Sequence, residues 1–270
     1  MINAGSRDER KGEEGIAHFT EHGFFKGTKH RKAYQVNCRL ENLGGELNAY
    51  TTKEDTTIHA TVLRGDFTKA VELVADVAFN STFPDKELEK EREVILDEIN
   101  TYRDSPNDDI YDSFEDLIFA GSELGHNILG TPRSLKGIDS AAIHRFRART
   151  HTTDKMVFSS IGNISLNRIK EIAERYLGCY APTKREFERV APTLVAPFER
   201  VVNKHTHQAH CIIGARAYNL ADKRRLPYAL LTNILGGPSA NSRLNISVRE
   251  RNGLTYNIGA SYASLSDCGF

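Results

Sequence analysis

The residues best suited to chemistry lie close together near the start of the chain. His18, Glu21 and His22 fall within the nine residues 15–23. In a helix, residues three and four positions apart project from the same face, so both imidazoles and the carboxylate would point into one volume. Imidazole nitrogens bind Zn²⁺, and a nearby carboxylate that is not a ligand can take a proton from water. The spacing therefore predicts a divalent metal site able to activate water.

A third ligand is needed, and the acidic run 85–103 can supply it. The run is rich in strong helix formers. Glu91 and Glu98 are seven residues apart, so two helical turns bring their carboxylates to nearly one side of the helix. One can then bind the metal while the other supports a ligand. The His-x-x-Glu-His pattern would occur by chance in roughly a few per cent of chains this rich in histidine. Alone it only suggests a metal site, and a third ligand is what distinguishes such a site from coincidence.

Composition bounds the class of protein. The 270 residues, 39% of them hydrophobic, are enough for one large or two ordinary domains with a buried core. Lys+Arg and Asp+Glu balance at 36 each, so charge favours no nucleic acid partner. No run approaches the ~20 apolar residues of a membrane span. The four cysteines, at 38, 179, 211 and 268, show no pairing pattern, so we predict free thiols.

The elements that must position these residues include both helices and strands. The helix with the histidine pair is predicted to continue to about Lys26. Further helices are predicted at about 34–43, 66–80, 85–103, 107–119, 141–150, 165–177, 226–235 and 242–251, and strands at 46–52, 56–63, 156–162, 209–215 and 254–263. This order predicts an α+β or α/β layer fold with helices packed on one face of a sheet. The run 181–197, with three prolines among charged residues, is the predicted linker.

Four groups of residues together resemble the pitrilysin family of zinc peptidases, which includes insulin-degrading enzyme and the mitochondrial processing peptidase. They are 5–9, 18–22 with 25–28, 44–51, and 91–98. The order His-x-x-Glu-His is the inverzincin signature. The resemblance covers essentially the whole chain and is to the short bacterial processing-peptidase-like members. It implies a zinc metalloendopeptidase that hydrolyses peptides or unfolded segments.

The resemblance also implies a role for each candidate residue. His18, His22 and Glu98 would bind one Zn²⁺ per chain. Glu91 would lie just behind these ligands, and Glu21 would be the general base.

Two further pairs would contact the substrate. A peptide would add as an extra strand at the sheet edge formed by 46–52, with Asn48 and Ala49 lining the scissile bond. Arg249 and Tyr256, seven residues apart, would reach the substrate and the transition state. The alternatives are ordinary: Asn48 belongs to a plain strand, Arg249 is a surface residue, and Tyr256 is a half-buried one.

Two residues of the first helix differ from those usual in resembling proteins. Thr20 and Gly23 stand where bulkier apolar residues are common. We expect Thr20 to face away from the metal. Gly23 should cost about 1 kcal/mol of helix propensity and loosen the helix without removing a ligand.

Other histidines could imitate metal ligands. His126, in the glycine-rich loop 121–132, could be a fourth ligand, but three protein ligands suffice and a polar loop residue is the simpler interpretation. His205, His207 and His210 could form a second cluster. Only His205 and His207 would share a face of a strand, and no carboxylate completes the set, so we do not predict a second metal site.

For the whole molecule, the resemblance implies an α+β two-layer sandwich with helices packed on one face of a mostly antiparallel sheet. A pitrilysin-like (LuxS/processing-peptidase-like) half would be followed by the start of a second, similar half. We expect 1–190 to be the zinc-binding half, without its first strand, and 195–270 to be the beginning of a truncated second half. Such a chain would pair with a copy of itself or with a second half, and could be inactive alone.

The sequence leaves alternatives for both the function and the cellular location. A non-catalytic scaffold or binding subunit of the same fold, or a zinc-storing protein, is the alternative to an enzyme. The complete set His18, Glu21, His22 and Glu98 favours catalysis. A cytoplasmic location in a bacterium is expected, with the periplasm or an organelle as alternatives.

Overall fold

The computed structural model describes residues 1–204 and 206–270. These residues form two compact units. The larger comprises Met1–Arg189 with Val202–His210, and the smaller comprises Val190–Val201 with Cys211–Phe270. Within the described residues, no helix is both long and apolar enough to cross a membrane.

Helices dominate the larger unit, and the smaller unit contains the α-helix Arg225–Gly236 and one short π-helix among irregular segments. The α-helices of the described residues are α1 (Ile16–Gly23), α2 (Ala33–Glu41), α3 (Phe67–Asn80), α4 (Asp85–Asp104), α5 (Pro106–Ile118), α6 (Pro132–Leu135), α7 (Ser140–Thr150), α8 (Leu166–Leu177) and α9 (Arg225–Gly236). The predicted helix at 242–251 has a π-helical counterpart, Asn245–Glu250, and the one-turn α6 was not predicted. Helix periodicity in the sequence therefore located the long helices.

The sheet is small and antiparallel. Its strands are β1 (Glu46–Thr51) and β2 (Thr56–Thr61), which pair from Glu46 opposite Thr61 to Thr51 opposite Thr56. On the far side of β2, Ile2 bridges to both Thr56 and Met156. Among the described residues, β1 is therefore the outer edge. This combination of helices and an antiparallel sheet confirms the predicted α+β fold class.

Three predicted strands do not form regular strands within the described part of the chain. Segment 156–162 pairs only at its start, where Val157 N donates to Met1 O and Asn3 N donates to Lys155 O. Segments 209–215 and 254–263 have no strand assignment; the isolated bridges Ala217–Gly269 and Ser264–Gly269 lie beside them. A strand needs a partner along its length, and these β-prone residues lack one here.

The first part of the predicted linker is bound to the larger unit. Arg189 donates to both carboxylate oxygens of Asp8, at 2.9 and 2.8 Å, and to the backbone oxygen of Glu54 at 2.6 Å. Arg185 donates to the backbone oxygen of Asn3. Two charged residues of the predicted linker are therefore bound to groups of the larger unit that are distant in sequence.

The core of the larger unit surrounds α1. Helix α1 contacts β1, α4 and α7, and its neighbours in the core are aromatic and branched aliphatic side chains. Fully buried members include Phe19, Phe24, Leu40, Phe83 and Ile95. Burying each such side chain contributes about 1.5–3 kcal/mol. The helix with the histidine pair is therefore fixed on three sides by packing.

Candidate metal centre

Helix α1 presents His18, Glu21 and His22 along one side, as their spacing predicts. The helix begins after Gly15, whose left-handed backbone has φ 93°, a conformation that suits glycine. Ile16 and Phe19 are fully buried and anchor the first turns in the core. His18 itself is only 7% exposed. The position of its ring is consequently set by packing as well as by the helix.

Helix α4 places Glu98 against both histidines. Glu98 Oε2 lies 3.7 Å from His18 Nε2 and 3.8 Å from His22 Nε2. One possible ligand atom from each of these residues lies within 4.8 Å of the other two. Two ligands of one tetrahedral Zn²⁺, with bonds near 2.0–2.1 Å, would lie about 3.3 Å apart. The three side chains thus need only a small contraction to share one ion.

Glu91 holds His22 from behind. Its Oε2 lies 3.0 Å from His22 Nδ1, and its Oε1 lies 2.6 Å from Lys26 Nζ. A carboxylate that accepts the Nδ1 proton fixes the ring and leaves Nε2 free to bind a metal. The seven-residue spacing predicted this second carboxylate, whereas Lys26, four residues after His22, is a partner that sequence reasoning missed.

Burial controls the titration of the site. Burial, and then the nearby His22, lowers the pKa of His18 to about 3, so its ring is neutral at neutral pH. Burial raises the pKa of Glu98, and His22 opposes that rise. Burial also raises the pKa of Glu21; the Thr51 hydroxyl and His22 oppose this, while Glu98 adds to it. A neutral imidazole can donate a lone pair, and a carboxylate of raised pKa is a better proton acceptor.

Two buried atoms of the site lack a hydrogen-bond partner among residues 1–204 and 206–270. They are His18 Nδ1 and Glu21 Oε2. An unsatisfied buried polar atom costs about 1–3 kcal/mol, so Glu21 Oε2, which belongs to none of the three possible ligands, needs a partner such as a water. Two imidazoles and one carboxylate form a ligand set that suits zinc and leaves a position open for water. The residues present therefore fit a catalytic type of zinc site, with the free Glu21 oxygen available to a water.

Within the described part of the chain, the edge of β1 near the site carries backbone groups that pair with no other strand. Thr52 N donates to Asp55 O, so these two residues form a hydrogen-bonded pair of the hairpin. Because pairs alternate along an antiparallel ladder, the N–H and C=O groups of Leu47, Ala49 and Thr51 point away from β2. Ala49 N donates instead to its neighbour Asn48 Oδ1 at 2.8 Å.

The other predicted substrate residues lie in the smaller unit. Arg249 and Tyr256 are brought together, with the guanidinium carbon of Arg249 lying 5.4 Å from the centre of the Tyr256 ring. Tyr256 is 81% exposed, so the half-buried alternative is not what the structure shows. These two residues and the metal-binding group belong to different units.

The other histidines considered as metal ligands lie outside the group formed by His18, His22 and Glu98. His126 Nε2 lies 2.7 Å from Glu9 Oε2, and His126 is not among the residues grouped as possible metal ligands. Of the possible second cluster, His205 lies outside the described residues. His207 is exposed, and His210 is half-buried. Glu9 was not predicted as a site residue, although it lies in the 5–9 segment that contributed to the family resemblance.

Known sequences resemble this chain over nearly its whole length. The family model described as Insulinase (Peptidase family M16) matches residues 1–132, and the model described as Peptidase M16 inactive domain matches residues 137–270. The uncharacterized zinc protease YmxG of Bacillus subtilis is 35% identical, over 99% of this chain and 65% of that protein. A zinc protease of Rickettsia bellii is 34% identical, over 100% of this chain and 65% of that protein. The chain thus spans about 65% of the length of these relatives.

Solved structures support the same fold. A protease from Helicobacter pylori has a TM-score of 0.86 at 20% identity and is matched over 99% of this chain and 65% of that chain. The peptidase M16 inactive domain from Pseudomonas fluorescens has a TM-score of 0.83 at 18% identity, over 100% of this chain and 66% of that chain. Since the two family models together span nearly the whole sequence, we conclude that the chain belongs to peptidase family M16, the insulinase family.

Proposed function

We propose that this chain is the metal-binding part of a zinc-dependent endopeptidase that hydrolyses peptides or unfolded segments. The observation that carries the proposal is the convergence of His18, His22 and Glu98 on one small volume, to which Glu21 adds a buried oxygen without a partner among the described residues. The names of the relatives, which are zinc proteases, support the choice of metal and reaction.

His18, His22 and Glu98 would hold one Zn²⁺ per chain. When bound, zinc acidifies water and polarises a carbonyl group. Glu21 takes a proton from the attacking water and delivers it to the leaving amine. The raised pKa of this buried carboxylate favours the first of these transfers. Glu91 keeps the His22 ring oriented throughout.

The substrate would lie along β1. The outward-facing N–H and C=O groups of Leu47 and the C=O of Ala49 can bond to an extended peptide, as in other cases of strand addition, and the Ala49 N–H can do so once it leaves Asn48 Oδ1. Asn48 is exposed and Ala49 is half-buried. Thr51, at the end of the same strand, is a neighbour of Glu21, so a peptide on this edge would lie near the general base. We therefore keep Asn48 and Ala49 as substrate-binding residues.

The family resemblance also implies a role for two residues of the smaller unit. Arg249 and Tyr256 are adjacent and exposed, so both are available to stabilise a tetrahedral oxyanion. One such donor contributes about 2.7–4 kcal/mol in a well-studied protease. We propose 1–190 as the zinc-binding half and 195–270 as the start of the second. Pairing with a second half is consistent with the 65% coverage of the relatives, and a homodimer is the other form of pairing that we propose.

The alternative is a non-catalytic scaffold or binding subunit of the same fold. It is favoured by one observation, which is that residues 137–270 match a domain described as inactive. The metal-binding group lies entirely outside that region, within residues 1–132. The two functions therefore predict different results at Glu21.

The decisive variant is Glu21→Gln. It removes the proton acceptor but none of the three ligands, so we expect bound zinc to stay near one per chain while peptide hydrolysis falls by at least ~10²-fold. Zinc is measured by metal analysis of the purified chain, and hydrolysis with a quenched fluorogenic peptide on the full-length protein that contains it.

Two controls frame that result. Glu41→Gln changes an exposed carboxylate on α2 and should alter neither quantity. His22→Ala removes a ligand and should lose the zinc itself. Zinc-loaded wild-type protein without turnover would favour the scaffold, and unchanged turnover in Glu21→Gln would remove Glu21 from its role.

A further inference from the structure

Glu9 is a buried acid that the proposed reaction does not use, yet it is bonded to the helix that carries the ligands. Its side chain is fully buried. Oε1 accepts a hydrogen bond from Ala17 N at 2.9 Å, and Oε2 accepts one from Gly15 N at 3.0 Å. Both donors belong to the start of α1, and Ala17 directly precedes His18.

The start of α1 has no cap of its own. Gly15 has no side chain, so the first N–H groups of the helix need an acceptor from elsewhere. A carboxylate is the best acceptor there because the helix dipole favours negative charge at this end. Glu9 therefore takes the place of the missing cap from six residues upstream.

His126 also contacts the Glu9 carboxylate, at the oxygen that accepts the hydrogen bond from Gly15 N. Its Nε2 lies 2.7 Å from Glu9 Oε2, and its backbone oxygen accepts from Lys53 Nζ, also at 2.7 Å. The loop that carries His126 lies directly on the start of α1, since a Cβ at Gly15 would come within 2.7 Å of Leu129 O. The start of α1, the Glu9 side chain and the loop that carries His126 are therefore packed together.

The backbone before Glu9 is held equally firmly. Arg7 pairs with Glu54 at 2.6 Å, and Asp8 pairs with Arg189 at 2.8 Å. Both pairs are almost fully buried. Glu9 therefore projects from a rigid turn, and its carboxylate can transmit that rigidity to α1.

We propose that Glu9 is a positioning residue for the metal centre: its carboxylate fixes the first turn of α1, and so the placement of His18, while His126 keeps the carboxylate in register. The proposal rests on the proposed function for its effect on hydrolysis. The predicted effects of Glu9 on zinc affinity and on the stability of α1 in the metal-free protein can be measured without any peptide hydrolysis.

Asp76 provides a matched control, because it is a buried carboxylate of purely structural surroundings. It accepts hydrogen bonds from Thr28, His30, Arg31 and Asn80, and none of these residues belongs to α1. Asp76→Asn should lower the free energy of unfolding as Glu9→Gln does. A merely structural role for Glu9 would make the two variants alike in every other respect.

The experiment compares Glu9→Gln with Asp76→Asn at a temperature where circular dichroism shows both to be folded. Zinc affinity is measured by competition with a chromophoric chelator, and amide hydrogen exchange is followed in the metal-free protein. We expect Glu9→Gln to weaken zinc binding about 10–100-fold, the usual effect of losing a residue that supports a ligand. We also expect faster exchange at the start of α1. Asp76→Asn should leave both quantities near wild type.

His126 gives a second, milder test if Glu9→Gln does not fold. His126→Gln keeps an N–H donor for the carboxylate and should stay near wild type, whereas His126→Ala should reproduce part of the loss of zinc affinity. Wild-type zinc affinity and exchange in folded Glu9→Gln, or in His126→Ala when Glu9→Gln is unfolded, would overturn the proposal. Zinc binding by the wild type without hydrolysis would instead count against the proposed function alone.

Discussion

Glu91 and Glu98 have the same side chain and lie on the same helix, yet their surroundings give them different tasks. Glu98 faces the Nε2 atoms of both histidines. Glu91 is 9% exposed and lies between His22 Nδ1 and Lys26 Nζ. A carboxylate in contact with Nδ1 orients the His22 ring so that its Nε2 can bind a metal. A supporting carboxylate of this kind should matter to metal affinity without touching the metal.

We predict that Glu91→Gln weakens zinc binding by about 10–100-fold, because His22 loses the charged acceptor that orients its ring. The measurement is competition with a chromophoric chelator on the purified chain. Glu93→Gln, on the exposed side of the same helix, is the matched control and should bind zinc as the wild type does. Equal affinity in the two variants would show that Glu91 does not support His22.

At the scale of the element, the end of α1 explains an unusual residue. A Cβ at Gly23 would lie 2.5 Å from Phe83 Cδ1 and 2.8 Å from Cε1. Phe83 is fully buried with φ 50°, a rare conformation outside glycine, and its ring also lies 6.0 Å from that of Phe24. The expectation that Gly23 merely loosens the helix therefore misses its packing role: the missing side chain makes room for the Phe83 ring.

Gly23→Ala should lower the free energy of unfolding by about 1–3 kcal/mol, the usual cost of overpacking a core, even though alanine is the better helix former. Urea unfolding measures this directly. Gly65→Ala is the control, since a Cβ there would meet no atom within 4 Å.

The double variant Gly23→Ala/Phe83→Leu tests the cause. Gly23→Ala should lower the free energy of unfolding by less in the Phe83→Leu background than in the wild type, because the smaller side chain leaves space for the new methyl group. Strict additivity of the two changes would indicate that Gly23 and Phe83 do not compete for the same volume.

For the whole molecule, local patterns in the sequence predicted the longer helices and which candidate side chains share a helix face. Helix periodicity placed His18 and His22 on one face and Glu98 two turns after Glu91, which is the arrangement in the structure. These features depend on spacings within one helix. The meeting of the two helices, by contrast, was implied by the resemblance to a family rather than by the residues themselves.

Features that depend on partners distant in sequence were not predicted. Among the residues that the structure describes, the β-prone segment 156–162 pairs only with residues 1–3, so it forms a bridge instead of a strand. Glu9 gained its role from Gly15, Ala17 and His126, and no local pattern marks an acid as the cap of a helix six residues later. Arg189 lies in the predicted linker, and no local pattern indicates its contact with the buried Asp8, which is 181 residues away in sequence.

The most direct test of the account is a crystal structure of the zinc-loaded protein with anomalous diffraction at the zinc edge. We predict one strong peak per chain, about 2.0–2.2 Å from His18 Nε2, His22 Nε2 and a Glu98 carboxylate oxygen, with Glu21 nearby but not a ligand. A zinc peak elsewhere in the chain, or one bound to both histidines with Glu98 turned away and no acid in its place, would contradict the account.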